Sequence, residues 1–176
     1  MSQRNSGYER KERDLYETPE WVTQELLRVI PAPSFVWEPA CGSGRIAKLF
    51  EPNVLATDIH DTYHVSQPVD FLKVTTAPVE VDAIITNPPF DLATEFCRHA
   101  VELMRPCQGM VCMLLRCDFD HAKTRTDLFR DCPAFAMKLT LLRRIIWFER
   151  KGAAPSFNHA WFIWDWKHNG PPQIKY

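Results

Sequence analysis

Four runs in the first two-thirds of the chain are apolar on successive residues rather than on alternate ones: "SFVWEPA" at 34–40, "NVLATDI" at 53–59, "VDAIIT" at 81–86 and "GMVCMLL" at 109–115. A strand with one wet face alternates, whereas a strand covered on both faces reads as a continuous apolar run. Between and after them lie stretches with helical spacing, "RIAKLF" at 45–50, "LATEFCRHAVELM" at 92–104 and "HAKTRTDLFRDC" at 121–132. An earlier helix is expected in "YETPEWVTQELLRVI", with Thr18 as cap, Pro19 at the first helical position and Glu20 at the positive end. Two late strands, "FAMKLTLL" and "AWFIWDW", follow. The alternation of strand and helix predicts an α/β fold, a mainly parallel sheet with helices on both faces.

At 176 residues the chain fits one domain. Residues 1–13 are charged and lack apolar periodicity, so a flexible arm is expected there, with a single domain over 14–176. A net charge of −1 argues against a protein coated in basic charge, and leaves room for a local basic cleft. The six cysteines form no C-x-x-C pair and no Cys/His zinc spacing, so neither a disulfide framework nor a metal is expected. His60 and His64, near Asp58 and Asp61, read as loop residues. No signal-peptide pattern is present and no apolar run is long enough to span a bilayer, which makes a reducing cytoplasm the expected compartment.

The first strand runs into Gly42-Ser43-Gly44-Arg45-Ile46-Ala47, a G-x-G-x-x-A pattern between a strand and a helix. Asp58 ends the second strand, where a doubly wound sheet sets a carboxylate against ribose hydroxyls. Glu38 and Pro39 precede the glycines and place an acid at the same strand tip. That charge would repel a pyrophosphate and suit an ammonium or a sulfonium. Asp70 is positioned for an adenine amino group, with Phe71 against the ring. Together these favour S-adenosylmethionine over a nicotinamide cofactor.

The third strand stops at Asn87-Pro88-Pro89-Phe90. Proline cannot donate to a ladder and stiffens its neighbours, so this strand ends by presenting a carboxamide and then a ring. The segments "EPACGSGRIA", "ATDIH", "VDFLK" and "ITNPPF", in that order, resemble the class I amino-methyltransferases, and "DLYETPEW" resembles the motif that DNA adenine methyltransferases carry ahead of the cofactor loop. The resemblance implies a seven-stranded Rossmann-like sheet with an antiparallel last strand, and S-adenosylmethionine as cofactor. Gly42, Gly44, Asp58 and Asp70 would hold it, with Tyr16, Thr18 and Pro19 closing over it and Cys41, Ile59 and Asn87 lining the site. Asn87 and the Pro88 carbonyl would accept the two hydrogens of the target amino group, Pro89 would stiffen the mount, and Phe90 would stack on the base. Two acceptors hold such a nitrogen toward tetrahedral geometry, so positioning and preorganised electrostatics carry the rate without a covalent nucleophile.

The expected substrate is adenine in DNA, flipped from any duplex. The chain departs from sequence-specific enzymes of this kind in leaving no room for a separate target-recognition domain. Its candidate substrate surface is the basic and aromatic segment with Arg143, Arg144, Arg150, Lys151 and Phe157, together with Trp147 and Phe148. RNA adenine, a protein glutamine amide and a cofactor-binding scaffold subunit are the alternatives. The glutamine enzymes usually carry a helical substrate domain ahead of the fold, which is not read here. Oligomeric state is not legible in the sequence.

Overall fold

The computed structural model describes residues 16–60, 68–147 and 157–176. The expected arm and its neighbours up to residue 15, and Phe148, Arg150 and Lys151, lie outside the described residues. Two α-helices, α1 (Glu20–Leu27) and α2 (Ala93–Met104), flank seven strands: β1 (Val36–Glu38), β2 (Val54–Ala56), β3 (Ala83–Thr86), β4 (Met110–Arg116), β5 (Phe135–Thr140), β6 (His159–Asp165) and β7 (Gln173–Lys175). They form one sheet in the order β2-β1-β3-β4-β6-β5-β7. β1 to β4 pair in parallel, β6 runs antiparallel to both β4 and β5, and β7 pairs in parallel with β5. Among the described residues the one antiparallel strand is β6 and not, as expected, the last: the short, exposed β7 follows it and adds in parallel to β5 at the sheet edge.

Both faces of the sheet are covered, as the unbroken apolar runs require. Along β6, Ala160, Phe162 and Trp164 face one core with α2, while Trp161 and Ile163 face the other with Val22 and Leu26 of α1. Indole N–H groups tie the layers across these cores. Trp161 donates to the Val22 carbonyl at 2.8 Å, Trp164 to Leu128 at 2.6 Å and Trp37 to the Thr57 hydroxyl at 2.8 Å. Each buried ring therefore contributes apolar area without leaving its polar hydrogen unpaired.

Two expected helices are not α-helices. In "RIAKLF" only a 3₁₀ turn forms, Ala47–Leu49, closed by Leu49 N–H on Ile46 and Phe50 N–H on Ala47. Pro52 lies just beyond and restricts Glu51, so the turn has no room to lengthen. In "HAKTRTDLFRDC" the helical stretch is again a 3₁₀ turn, Lys123–Arg125, followed by further turns. Its Thr and Asp side chains compete for backbone partners. Tertiary bonds hold it instead: Arg98 of α2 donates to the Asp127 carboxylate and the Thr124 carbonyl. The start of α1 also differs. Pro19 is the cap, at φ −61° and ψ 143°, Glu20 is the first helical residue, and Thr18 makes no capping bond. A residue before proline is held out of the helical region, which accounts for the shift.

Candidate active site

The parallel strands end on one side of the sheet, and the crevice there is lined by the segments that follow β1, β2 and β3. After β1 the chain turns through Gly42 at φ 49° and Gly44 at φ 76°. Both are left-handed conformations that side chains disfavour. Asp58, just beyond β2, receives Gly42 N–H on Oδ2 and His60 N–H on Oδ1, each at 2.9 Å. A carboxylate has about four acceptor positions, so two remain for further donors. Ile59 beside it is 57% exposed and offers an apolar surface to the same space.

Two expectations for this half are corrected. Glu38 does not present a charge to a ligand: it is 2% exposed, and its carboxylate accepts from Ala47 N–H at 2.6 Å, bracing the glycine turn from beneath. Burial, reinforced by the neighbouring Asp58, pushes its carboxyl well above the usual range, against the Ala47 hydrogen bond. Phe71 is not a platform for a ligand ring. It is 2% exposed and enclosed by Trp37, Phe96 and His99, with ring centroids 5.2, 4.9 and 4.8 Å away. Asp70 caps the turn Phe71–Lys73 through Leu72 N–H and pairs with Lys73 at 3.1 Å. Pro39 and Cys41 are buried beneath the turn, with Cys41 N–H on the Thr57 carbonyl.

The catalytic candidates sit where β3 ends. Asn87 donates through Nδ2 to the Tyr16 carbonyl at 3.3 Å, while its Oδ1 is buried and has no hydrogen-bond partner among the described residues. Pro88 is buried and Pro89 exposed, so the turn is anchored on one side and open on the other. Phe90 is 49% exposed. Its ring lies 4.7 Å from Tyr16 and 6.3 Å from Trp147, and Tyr16 lies 5.5 Å from Trp147. Trp147 in turn meets the edge of His159 at 5.1 Å. Burial pushes the His159 imidazole down to about 4, so it is neutral at physiological pH. Three rings, from the segment before α1, the end of β3 and the segment after β5, thus meet one another. Trp147 was legible only as half of a basic and aromatic stretch, because its neighbours come from far along the chain.

On the rim, Arg143 lies over the Trp21 ring at 5.0 Å and Arg144 is exposed. Phe157, 38% exposed, carries the Arg116 guanidinium at 4.3 Å over its face. Arg116 ends β4 and had no motif to mark it. Glu17, also unmarked, joins the segment bearing Thr18 and Pro19 to the glycine turn: its carboxylate meets Arg45 at 3.0 Å. Among the described residues no three His, Cys, Asp or Glu side chains group as metal ligands, and no helix is long and apolar enough to cross a membrane.

No family model and no curated protein matches the chain. Solved structures do. A Pyrococcus horikoshii protein described as a proposed RNA methyltransferase aligns over 83% of this chain and 81% of its own, at TM-score 0.59 and 15% identity. The M protein of the type I restriction enzyme EcoKI aligns over 85% of this chain at TM-score 0.57 and 15% identity, and the chain spans 44% of its length. The 23S rRNA methyltransferase ErmE aligns over 87% of this chain and 69% of its own, at TM-score 0.56 and 14% identity. The fold is the Rossmann-like fold of the class I methyltransferases. At these identities the likeness is one of architecture.

Proposed function

We propose that this chain is an S-adenosylmethionine-dependent N-methyltransferase acting on the exocyclic amino group of adenine in a nucleic acid, with DNA as the first reading. The observation that carries it is the pairing of Asn87. Its amide nitrogen is engaged by the Tyr16 carbonyl, which leaves a buried oxygen that can only accept. A buried acceptor without a donor costs about 1–3 kcal/mol, and a substrate N–H removes that cost.

The residues of the glycine-turn side fit the cofactor. Two left-handed glycines allow a close approach, Asp58 has acceptor positions left for a ribose, and Ile59 offers an apolar surface to an adenine. When bound there, the cofactor supplies an electrophilic methyl group. The chain's own residues prepare the nucleophile. Asn87 Oδ1 and the Pro88 carbonyl accept the two amino hydrogens and draw the nitrogen's lone pair out of conjugation with the ring. Phe90, with Tyr16 and Trp147 beside it, offers the aromatic surface on which a base stacks, worth about 1–3 kcal/mol. Arg144 provides a cation at the rim for a phosphate backbone, while Arg116 on Phe157 is already paired with Asp118 at 2.7 Å.

RNA is the second reading, favoured by the description of two of the compared structures as RNA methyltransferases, one of them by proposal. The test is transfer of labelled methyl to DNA, RNA and protein in parallel, followed by nucleoside analysis. Label in N6-methyladenine of DNA is the expected result, and label in RNA adenine alone selects the second reading. Label in protein alone, or in none of the three, overturns the assignment.

A further inference from the structure

The carboxamide of Asn87 has two nearly isosteric orientations, and only one points an oxygen at the substrate. What selects it is the Tyr16 carbonyl, 3.3 Å from Nδ2. Tyr16 is held through the next residue. Glu17 pairs with the Arg45 guanidinium of the glycine turn at 3.0 Å. Beyond Glu17, Thr18 is buried and Pro19 caps α1, so the segment is fixed at that end by the core. Glu17 is thus the anchor next to the carbonyl that orients Asn87.

We propose that Glu17 is a positioning residue: its pairing with Arg45 fixes the Tyr16 carbonyl, and with it the face of the Asn87 carboxamide that meets the substrate. This rests on the assignment of Asn87 as the amino-group acceptor. It makes the glycine turn and the catalytic loop one mechanical unit, in which a properly formed cofactor turn is a condition for a properly oriented acceptor. The Ser43 hydroxyl and the Arg45 guanidinium hold the Glu17 carboxyl below the usual range, so the link is intact at neutral pH. The pair is half-exposed, so its contribution to global stability is small.

The test compares Glu17→Ala with Glu17→Gln, and uses Arg45→Gln as a second break of the same link. In Glu17→Ala, kcat is expected to fall about tenfold, with KM for S-adenosylmethionine within about twofold of the parent, since positioning is lost rather than uniform binding. Glu17→Gln keeps a hydrogen-bonding group and is expected to recover more than half of the lost rate. In an Asn87→Asp background either carboxylate oxygen can accept, so Glu17→Ala is expected to cost less than about twofold there. An equal loss in both backgrounds overturns the proposal. A second readout needs no catalysis. The Asn87 side-chain NH₂ resonances, assigned by their disappearance in Asn87→Asp, are expected to shift and exchange faster in Glu17→Ala and Arg45→Gln, and to stay in place in Glu17→Gln. Unmoved resonances in both breaking variants overturn the positioning role. A parent that methylates no nucleic acid but shows the shift overturns the proposed function while upholding the mechanical link.

Discussion

The two sides of the strand-end crevice treat their polar groups in opposite ways. On the glycine-turn side, both oxygens of Asp58 receive backbone N–H groups and the Glu38 carboxylate receives a third. On the catalytic side, Thr86 Oγ1 and Asn87 Oδ1 are buried without partners among the described residues. The first side is completed by folding itself. The second carries acceptors and donors whose burial opposes folding, each by about 1–3 kcal/mol. The contrast separates a side whose carboxylates are met by backbone N–H groups from one that leaves two buried polar atoms unmet among the described residues.

The largest effect that can break this contrast is on activity. Asn87→Ala is expected to lower methyl transfer by about 10²–10³-fold, the scale for losing one preorganised group, while calorimetry shows an unchanged cofactor affinity. Equal loss of cofactor binding would move Asn87 to the other side of the comparison. Next comes Asp58→Ala, which unpairs Gly42 N–H and His60 N–H. Charge-assisted bonds of this kind contribute about 1.5–3 kcal/mol, so the cofactor dissociation constant is expected to rise more than about tenfold and the unfolding midpoint to drop. Smaller is Thr86→Val, which removes the unpaired hydroxyl while keeping the shape. It is expected to stabilise the fold by about 1 kcal/mol in denaturant titration, and a destabilisation would show that the hydroxyl is satisfied in solution.

The last effect vanishes in acid. Burial raises the Glu38 carboxyl, so the folded chain favours its protonated form. The stability this contributes is complete below the ordinary carboxylate pKa and is lost as pH rises through the raised one. Glu38→Gln keeps an acceptor for Ala47 N–H and cannot ionise. Its unfolding midpoint is therefore expected to match the parent at low pH and to exceed it increasingly as pH rises.

Much of the sheet was legible because strands buried on both faces leave unbroken apolar runs: β1 and β3 fall within them, β4 does so up to Arg116, and the half-buried edge strand β2 lies within a run as well. The short helices were not. The spacing of Ile46, Ala47 and Phe50, or of Leu128 and Phe129, suits an α-helix or a tighter turn equally, and the choice rests on Pro52 and on competing Thr and Asp side chains. β7 escaped notice because three exposed residues carry no burial pattern. The placement of Asn87 and Phe90 just past the end of β3 was legible from the local sequence "NPPF", whose prolines fix their own backbone. Phe71 and Glu38 were misread for one reason. Whether a ring or an acid at a strand tip faces the crevice or the core depends on neighbours such as Phe96 and Ala47, which no local spacing reveals. Glu17 escaped for the same reason in reverse.

The placement of the tryptophans gives the molecule its own optical reporter. Trp37, Trp161 and Trp164 are sealed in the core, so their emission is a steady background. Trp147 stands half-buried beside Phe90 and Tyr16, with the His159 ring at its edge. A base sliding into that trio would stack on or near one indole and dim it, leaving the sealed three unchanged. Under the proposed function, arrival of a base is then expected to be timed by light, separately from methyl transfer.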